Sequence, residues 1–272
     1  MSVMRVGLGL ALLAVAGAAD VDAQWSRADD GWCEGRWGGD DDRYCMSLEG
    51  EFDPGDRIVV DGGANGGVEV LGWNRDAVSV RARVWANARS MERAREIADE
   101  VEVTYRNGRL YADGPDTDRR ESWGVSWDVR VPRDTDLDIE TQNGGIDVEG
   151  VRGDIDFRAV NGGVSLVEVA GDVSGRTTNG GVKVELDGRR WDGAGMDVQT
   201  TNGGVTLAVP ADYSADLETG TVNGGIELDF PVTVQGRLGK RLAVTLGDGG
   251  ATIRAVTTNG GVRILRSGRA IR

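Results

Sequence analysis

The amino-acid sequence predicts a right-handed parallel β-helix, or β-solenoid, with coils of about 18 residues and one short helix near the N-terminal end. Three observations predict it: one tripeptide recurs at nearly fixed spacing, apolar residues alternate on both sides of it, and like residues recur in each aligned column. The tripeptide is Asn-Gly-Gly followed by Val or Ile, and its regular copies are 18, 18, 23, 21 and 36 residues apart. These copies begin at Asn143, Asn161, Asn179, Asn202, Asn223 and Asn259.

Each copy is predicted to lie between two short strands. Ahead of the glycines every second residue is apolar or Thr, as in Leu137, Ile139 and Thr141, and beyond them Ile146 and Val148 continue the alternation. A period of two residues predicts a strand with one buried face. The parity of the apolar positions changes across the glycines, so we expect the chain to turn a corner there, with the glycines at positive φ.

The alternative fold is an antiparallel β meander or sandwich, because Asn-Gly is also a strong hairpin signal. The short period and the recurrence of like residues in each column favour the solenoid, since in-register stacking requires them. We expect the coils to stack in chain order, so that the last coil, which begins at Thr252, has a single neighbour. The longer connections after Leu186, Pro210 and Pro231 are expected to bulge from the opposite turn.

The regular array is predicted to occupy residues 136–272 and to follow a less regular β region at residues 51–135, which holds an earlier Asn-Gly-Gly copy at Asn65. Within that region residues 90–100 predict the short helix, because their apolar side chains share one helical face. We expect this helix to cover an open end or edge of the sheet. Residues 24–50 form a segment rich in Cys, Trp and Gly.

Residues 1–23 have the pattern of a secretory signal peptide. A 14-residue apolar run follows one positive charge and ends shortly before a predicted cleavage position between Ala23 and Gln24. The alternative is a membrane anchor, but the run is too short to cross a bilayer core of roughly 30 Å. We therefore expect an exported protein, periplasmic or extracellular at the cell surface, with no transmembrane segment in the mature chain.

The only two cysteines are Cys33 and Cys45. In an oxidising compartment a lone cysteine pair usually forms a disulfide, so this pairing is the prediction. The alternative is a redox or metal pair, which is weakly supported because the chain has no other soft ligand.

The composition excludes several classes of function. Asp and Glu number 45 against 31 Lys and Arg, a formal net charge of −14, and there is no histidine. The acid excess argues against a nucleic-acid partner, because phosphate contacts need a basic face. The absence of histidine excludes Ser-His-Asp and Cys-His nucleophiles and His-ligated zinc. We expect no cofactor, no resident metal and no catalytic residue.

Three sets of side chains are candidates for binding, each with a structural alternative. The corner asparagines could form a ligand-binding row, but Asn at a turn more often bonds backbone or the neighbouring coil, so we expect a structural role. The tryptophans could stack on sugars, but we expect them mainly to plug the core. An aspartate column could hold calcium, although Asp after a turn commonly bonds its own backbone. This column comprises Asp136, Asp154, Asp172 and Asp216.

The repeated Thr-x-Asn-Gly-Gly-[Val/Ile]-x-[Val/Leu] pattern, as in Thr177–Val184 and Thr200–Leu207, resembles the bacterial putative-adhesin family. That family is a domain of unknown function with glycine-rich β-strand repeats, similar to auto-transporter adhesin head domains. The resemblance covers about residues 55–266. It implies an exported, non-enzymatic β-helical module and offers no catalytic residues to carry over.

Two functions from different classes follow from these observations. The first is a structural or binding module of the cell envelope, whose partner is a surface, a glycan or an envelope protein. The alternative is a polysaccharide-acting β-helix enzyme, a glycosidase or lyase, since two carboxylates suffice for glycoside hydrolysis. No carboxylate interrupts the repeat in a way that suggests a specialised coil, which favours the first.

Overall fold

A computed structural model describes residues 25–28, 31, 33, 43–229 and 239–267. The predicted signal peptide and its cleavage position at Ala23 and Gln24 lie outside the described residues. In chain order the elements are β1 (Ser26–Ala28), β2 (Arg43–Phe52), β3 (Arg57–Asp61), β4 (Val68–Trp73), β5 (Val78–Asn87), α1 (Met91–Asp99), β6 (Glu102–Arg106), β7 (Arg109–Asp113), β8 (Ser122–Pro132), β9 (Asp136–Asn143), β10 (Ile146–Glu149), β11 (Arg152–Asn161), β12 (Val164–Val167), β13 (Ala170–Asn179), β14 (Val182–Glu185), β15 (Gly195–Asn202), β16 (Val205–Val209), β17 (Ala215–Asn223), β18 (Ile226–Leu228), β19 (Arg241–Leu246), β20 (Thr252–Asn259) and β21 (Val262–Arg266).

The strands form two long sheets that enclose one hydrophobic core. Sheet A runs β1-β2-β5-β8-β4-β10-β12-β14-β16-β21-β18, and sheet B runs β19-β17-β20-β15-β13-β11-β9-β3-β7-β6. A coil consists of one strand of sheet B, an Asn-Gly-Gly corner and one strand of sheet A. Successive coils pair in parallel and in register, as Leu137 with Ile155 and Val148 with Leu166 show. The parallel β-solenoid predicted from the sequence is therefore confirmed, and the antiparallel meander is not observed in the repeats.

The core follows the predicted alternation. Leu137, Ile155 and Leu166 are fully buried from the inner faces of the two sheets, and burying such a side chain contributes about 1.5–3 kcal/mol. Phe157 is accommodated in the core only because the adjacent position in the next coil is a glycine. A Cβ at Gly175 would lie 2.5 Å from the ring of Phe157. The absent side chain at Gly175 thus makes room for the aromatic ring of Phe157 between the coils.

The order in which the coils stack differs from the expectation. Coil 252–266 does not end the array: β20 pairs with β15 on one side and β17 on the other, and β21 lies between β16 and β18. Coil 215–228 is outermost instead, and β19 covers its sheet B edge in antiparallel pairing. The prediction that the last coil has a single neighbour was wrong. The 36-residue step holds this antiparallel strand rather than a further coil.

The N-terminal end of the array is also built out of chain order. Coil 57–73 stacks directly on coil 136–149, and the intervening residues extend both sheets outward. β7 and β8 pair in parallel with β3 and β4, and β8, β5 and β2 then continue sheet A in antiparallel fashion. The predicted helix is present as α1, capped by the Ser90 hydroxyl, and it buries Ala94, Ile97 and Ala98 against β2 and β5. It therefore covers the face of this extension rather than its outermost strand.

The N-terminal segment is fastened to the same sheet. Cys33 and Cys45 form the expected disulfide, with the two Cα atoms 5.7 Å apart, and Cys45 lies in β2. The ring of Trp25 packs 5.0 Å from the ring of Phe52. Within the described ranges no helix is both long and apolar enough to cross a membrane.

Candidate functional site

The corner asparagines form a continuous ladder along one side of the solenoid. Each side-chain Nδ2 donates to the Oδ1 of the preceding asparagine in the stack, at distances from 2.7 to 2.8 Å between Asn161 and Asn223. At the N-terminal end Asn143 donates to the carbonyl of Ala64, and Asn65 donates to the carbonyl of Trp123 at 3.2 Å. These amide donors are therefore used within the protein. In stacking order the ladder is Asn65, Asn143, Asn161, Asn179, Asn202, Asn259 and Asn223.

The first glycine of each corner is required by close approach, not by its dihedral angles. None of these seven glycines lies at positive φ, so the sequence-based explanation of the corner was wrong. A Cβ at Gly162 would instead lie 1.8 Å from the carbonyl oxygen of Gly144, and the other copies have similar approaches. The second glycine is far less constrained: a Cβ at Gly163 would lie 3.5 Å from its nearest neighbour, the Gly181 oxygen.

A column of threonines on the inner side of the corners donates hydrogen bonds to the carbonyl oxygens of the first corner glycines. Thr200 Oγ1 donates to the Gly180 oxygen at 2.6 Å, and Thr141, Thr177, Thr221 and Thr257 make the corresponding bonds of 2.7–2.8 Å. Coils 57–73 and 152–167 have no threonine there, because their column positions are Gly62 and Ala159. At the outermost coil the ammonium group of Lys240 takes the place of a threonine and donates to the Gly224 oxygen.

The aspartate column considered as a candidate calcium site is split by the coil order. Asp136, Asp154 and Asp172 are neighbours, but Gly195 and Thr252 separate them from Asp216. Asp136 accepts the backbone N–H of Asp154 at 2.8 Å, which is a structural bond between coils. No group of three or more Asp, Glu, Cys or His side chains in the described part of the chain is arranged to hold a metal ion.

The outer face of sheet B carries a shallow polar groove of about 480 Å³ that crosses four coils. Its charges are largely paired between neighbouring strands: Arg158 contacts Glu140 at 3.2 Å, and Arg254 contacts Asp197. Such exposed pairs contribute little to stability, so their regular spacing matters mainly as surface chemistry. The groove lies at residues Asp138, Glu140, Asp156, Phe157, Arg158, Ser174, Gly175, Arg176, Asp197 and Gln199.

The outer face of sheet A carries a row of three adjacent carboxylates. Asp128, Glu69 and Asp147 are in-register neighbours on β8, β4 and β10. Partial burial raises the pKa of Glu69, and the charges of Asp128 and Asp147 raise it further. Burial also raises the pKa of Asp147, opposed by a hydrogen bond from Ser165 and by the charge of Lys183. The sequence analysis missed this row because its members come from three separated segments.

A cleft of about 380 Å³ opens at the N-terminal corner of the array. One wall is the turn from Asp61 to Asn65, another is the loop at residues 114–117, and the third is the beginning of β8 with Trp123 and Trp127. Trp123 is half-buried and its indole Nε1–H donates to the carbonyl of Pro115 at 2.9 Å, which holds the loop over the cleft. The cleft was not expected from the sequence.

Four of the six tryptophans in the described residues contact the core, as expected, whereas Trp73 and Trp85 are partly exposed and lie outside it. Trp127 and Trp191 are buried, and Trp191 donates its indole N–H to the Gly171 carbonyl at 2.9 Å. Trp25 and Trp123 are partly buried against the same core. Trp123 and Trp127 line the N-terminal cleft.

This chain is similar to one protein family and to solved structures of other proteins. Residues 132–265 match the family model described as Toastrack DUF4097. The fold is similar to that of a putative cell adhesion protein from Clostridium sporogenes ATCC 15579, with 10% identity, 82% of this chain and 100% of that chain covered, and a TM-score of 0.45. It is also similar to a putative adhesin from Bacteroides fragilis NCTC 9343, with 10% identity, 84% and 100% coverage, and a TM-score of 0.40. No curated protein matches the sequence significantly. Residues 132–265 of this chain therefore resemble the Toastrack DUF4097 family, a domain of unknown function.

Proposed function

We propose that this protein is an exported, non-enzymatic, adhesin-like module of the cell envelope. Its rigid β-sheet faces bind a partner, which is a cell surface, a glycan or an envelope protein. The observation that carries the proposal is the way the corners are used. The asparagine amides, the close glycine contacts and nearly all the threonine hydroxyls bind one coil to the next. Chemistry at the corners thus builds the scaffold, and the two outer faces remain for a partner.

The outer faces suit a repetitive partner. Neighbouring coils repeat their polar side chains at the strand spacing of about 4.8 Å, so seven coils offer a flat, regular surface roughly 30 Å long. The Cys33–Cys45 disulfide supports export, because disulfides persist in oxidising compartments. The absence of histidine supports a binding role over most acid–base chemistry.

Two experiments test the proposal. The chain is expressed with its own N-terminus, fractionated, and the exported form is measured by intact mass with and without reductant. We expect it to begin at Gln24 and to contain no free thiol; a form that retains residues 1–23 inside the cell contradicts export.

The second experiment separates binding from catalysis. The purified protein is incubated with isolated envelope fractions and with acidic and neutral polysaccharides, and both retention and release of new reducing ends are measured. Retention without release supports the binding module. Release of reducing ends would favour the polysaccharide-acting enzyme, with Glu69 and Asp147 as the first carboxylates to replace.

A further inference from the structure

The N-terminal cleft differs from the rest of the array because its corner is larger. Asp61 pairs with Glu140 and Val68 pairs with Ile146, so six residues span the corner of coil 57–73 where five span the next. The extra residue is accommodated at Gly63, whose φ is 64°. At the next position outward in the stack, β7 and β8 are not joined by an Asn-Gly-Gly corner, and the loop at residues 114–121 bridges them instead. An enlarged turn and a bridging loop thus leave a gap that stacked coils elsewhere close.

The walls of the cleft offer uncommitted hydrogen-bonding groups. The side chains of Asp116, Thr117 and Ser122 line it and make no hydrogen bond to other described residues. Asp61 also lines it, but its charge is offset by Arg109, whose guanidinium lies 3.2 Å from the carboxylate. The cleft therefore presents hydroxyl groups and carboxylate oxygens with only one carboxylate uncompensated.

The partly exposed ring of Trp123, together with Ala64, Ala112 and Pro115, supplies the apolar lining of the cleft. Trp123 lies at its side, and Trp127 lies at its floor, 98% buried. The Nε1–H of Trp127 has no hydrogen-bond partner among the described residues, which is costly for a buried donor.

We propose that this cleft binds one or two rings of a neutral sugar. The proposal rests on the proposed function and deepens it by naming a ligand class and a place. Indole rings pack on the apolar faces of sugar rings, while carboxylates, hydroxyls and amides bond the sugar hydroxyls. No Lys or Arg lines the cleft, which disfavours an anionic ligand. A volume of about 380 Å³ is near the lower limit of small-molecule sites and suits a ligand of this size.

The test uses soluble probes and variants of the full-length protein. Cellotriose, maltotriose, mannotriose and triacetylchitotriose are titrated by calorimetry, with trigalacturonate as the anionic probe and tetramethylammonium as the cationic probe. Ala64→Trp fills the cleft from an exposed position that precedes a corner asparagine. Thr178→Trp is the matched control, since it precedes Asn179 at a corner where no cleft is present.

We expect at least one neutral probe to bind the native protein. Ala64→Trp should weaken it at least about tenfold because the site is filled, and Thr178→Trp should change the affinity less than about twofold. The double variant Asp116→Asn/Ser122→Ala keeps the shape of the cleft and should weaken binding about three- to tenfold. Thermal unfolding of each variant establishes that it is folded. If Ala64→Trp proves to be destabilised, the binding affinity of the double variant tests the inference in its place.

Two results overturn the inference. One is that none of the neutral probes binds, or that binding is the same in Ala64→Trp, in Asp116→Asn/Ser122→Ala and in Thr178→Trp. The other is binding of trigalacturonate or tetramethylammonium alone, which would assign a different ligand class to the cleft. Retention on envelope fractions, measured with the same variants, distinguishes the two proposals: retention of all variants without sugar binding rejects this inference alone, and loss of all retention rejects the proposed function.

Discussion

The side-chain amide of Asn259 donates a 2.8 Å hydrogen bond to Oδ1 of Asn202, although the two residues are 57 positions apart in the chain. Asn223, which precedes Asn259 in sequence, donates to Asn259 at 2.7 Å. The last coil of the sequence is thus held between two earlier ones. A change in this coil is therefore felt on both sides, and it disturbs more of the array than a change in a terminal coil would.

The two glycines of the Gly260-Gly261 corner should differ sharply in their tolerance of a side chain. A Cβ at Gly260 would lie 2.0 Å from the Gly203 oxygen, whereas the nearest atom to a Cβ at Gly261 is 3.7 Å away. We expect Gly260→Ala to lower the free energy of unfolding by about 3 kcal/mol or more and Gly261→Ala by less than about 1 kcal/mol. Urea unfolding measures both; equal losses would contradict the close-approach explanation.

Gly180→Val should also be strongly destabilising, for the same steric reason rather than for a dihedral one. A Cβ at Gly180 would lie 2.0 Å from the Gly162 oxygen, and neither glycine has positive φ. The middle and last coils are therefore expected to be about equally sensitive. If Gly260→Val lowered the free energy of unfolding much less than Gly180→Val, coil 252–266 would instead be terminal.

The threonine column predicts one substitution that lowers the stability of the protein and one that raises it. Thr200→Val removes the 2.6 Å bond to the Gly180 oxygen while nearly preserving shape, and should cost about 1 kcal/mol. Ala159→Thr places a hydroxyl where Thr141 and Thr177 carry one in the adjacent coils, and should stabilise by about 0.5–1 kcal/mol. Chemical denaturation measures both changes. A destabilised Ala159→Thr would show that coil 152–167 lacks room for the hydroxyl.

Removal of one whole repeat, Asp154–Gly171, should leave a folded protein. Asp172 pairs in register with Asp154, so after the deletion residues 172–185 can take the place of coil 154–167 and stack on coil 136–149 with every column preserved. We expect a soluble, β-rich protein with cooperative unfolding by circular dichroism. Truncation after Ala251 is the contrasting variant: it removes β20 and β21 from between their neighbours and should abolish cooperative folding. If the single-repeat deletion variant aggregated, the coils could not be regarded as units that stack independently of the one removed.

The carboxylate row on sheet A predicts a pH-dependent gain in stability. The pKa of Glu69 is raised in the folded state, so its ionisation opposes folding, and this cost appears as the pH rises through that pKa. Glu69→Gln should therefore raise the free energy of unfolding by a few tenths of a kcal/mol at pH 7, less at high salt, and not at all well below pH 4. Glu227→Gln is the control on another strand of sheet A. Glu227 pairs with Arg263 at 3.1 Å, so we expect its replacement to give no gain in stability. Thermal unfolding at several pH values measures both.

Much of the solenoid could be predicted from local pattern alone. Alternation such as Leu137, Ile139 and Thr141 identifies strands with one buried face, and identical columns identify stacking, because both are imposed by neighbours a few residues away. The disulfide followed from cysteine count and the expected compartment. The role of the first corner glycine was predicted at the right residue but for the wrong reason: the obstacle to a side chain is the carbonyl of another coil, which no single repeat can reveal.

The sequence by itself determined the repeating unit, the strand faces and the corner residues, since these depend on local sterics and burial. Only the tertiary structure decided the order of the coils, because equivalent columns make coils 215–228 and 252–266 equally compatible neighbours of coil 195–209. It also decided the cleft beside Asn65, which arises where an enlarged corner meets a loop about 50 residues later in the chain. Contacts between segments so far apart depend on how the ends of the array close, and the repeat pattern carries no signal for that.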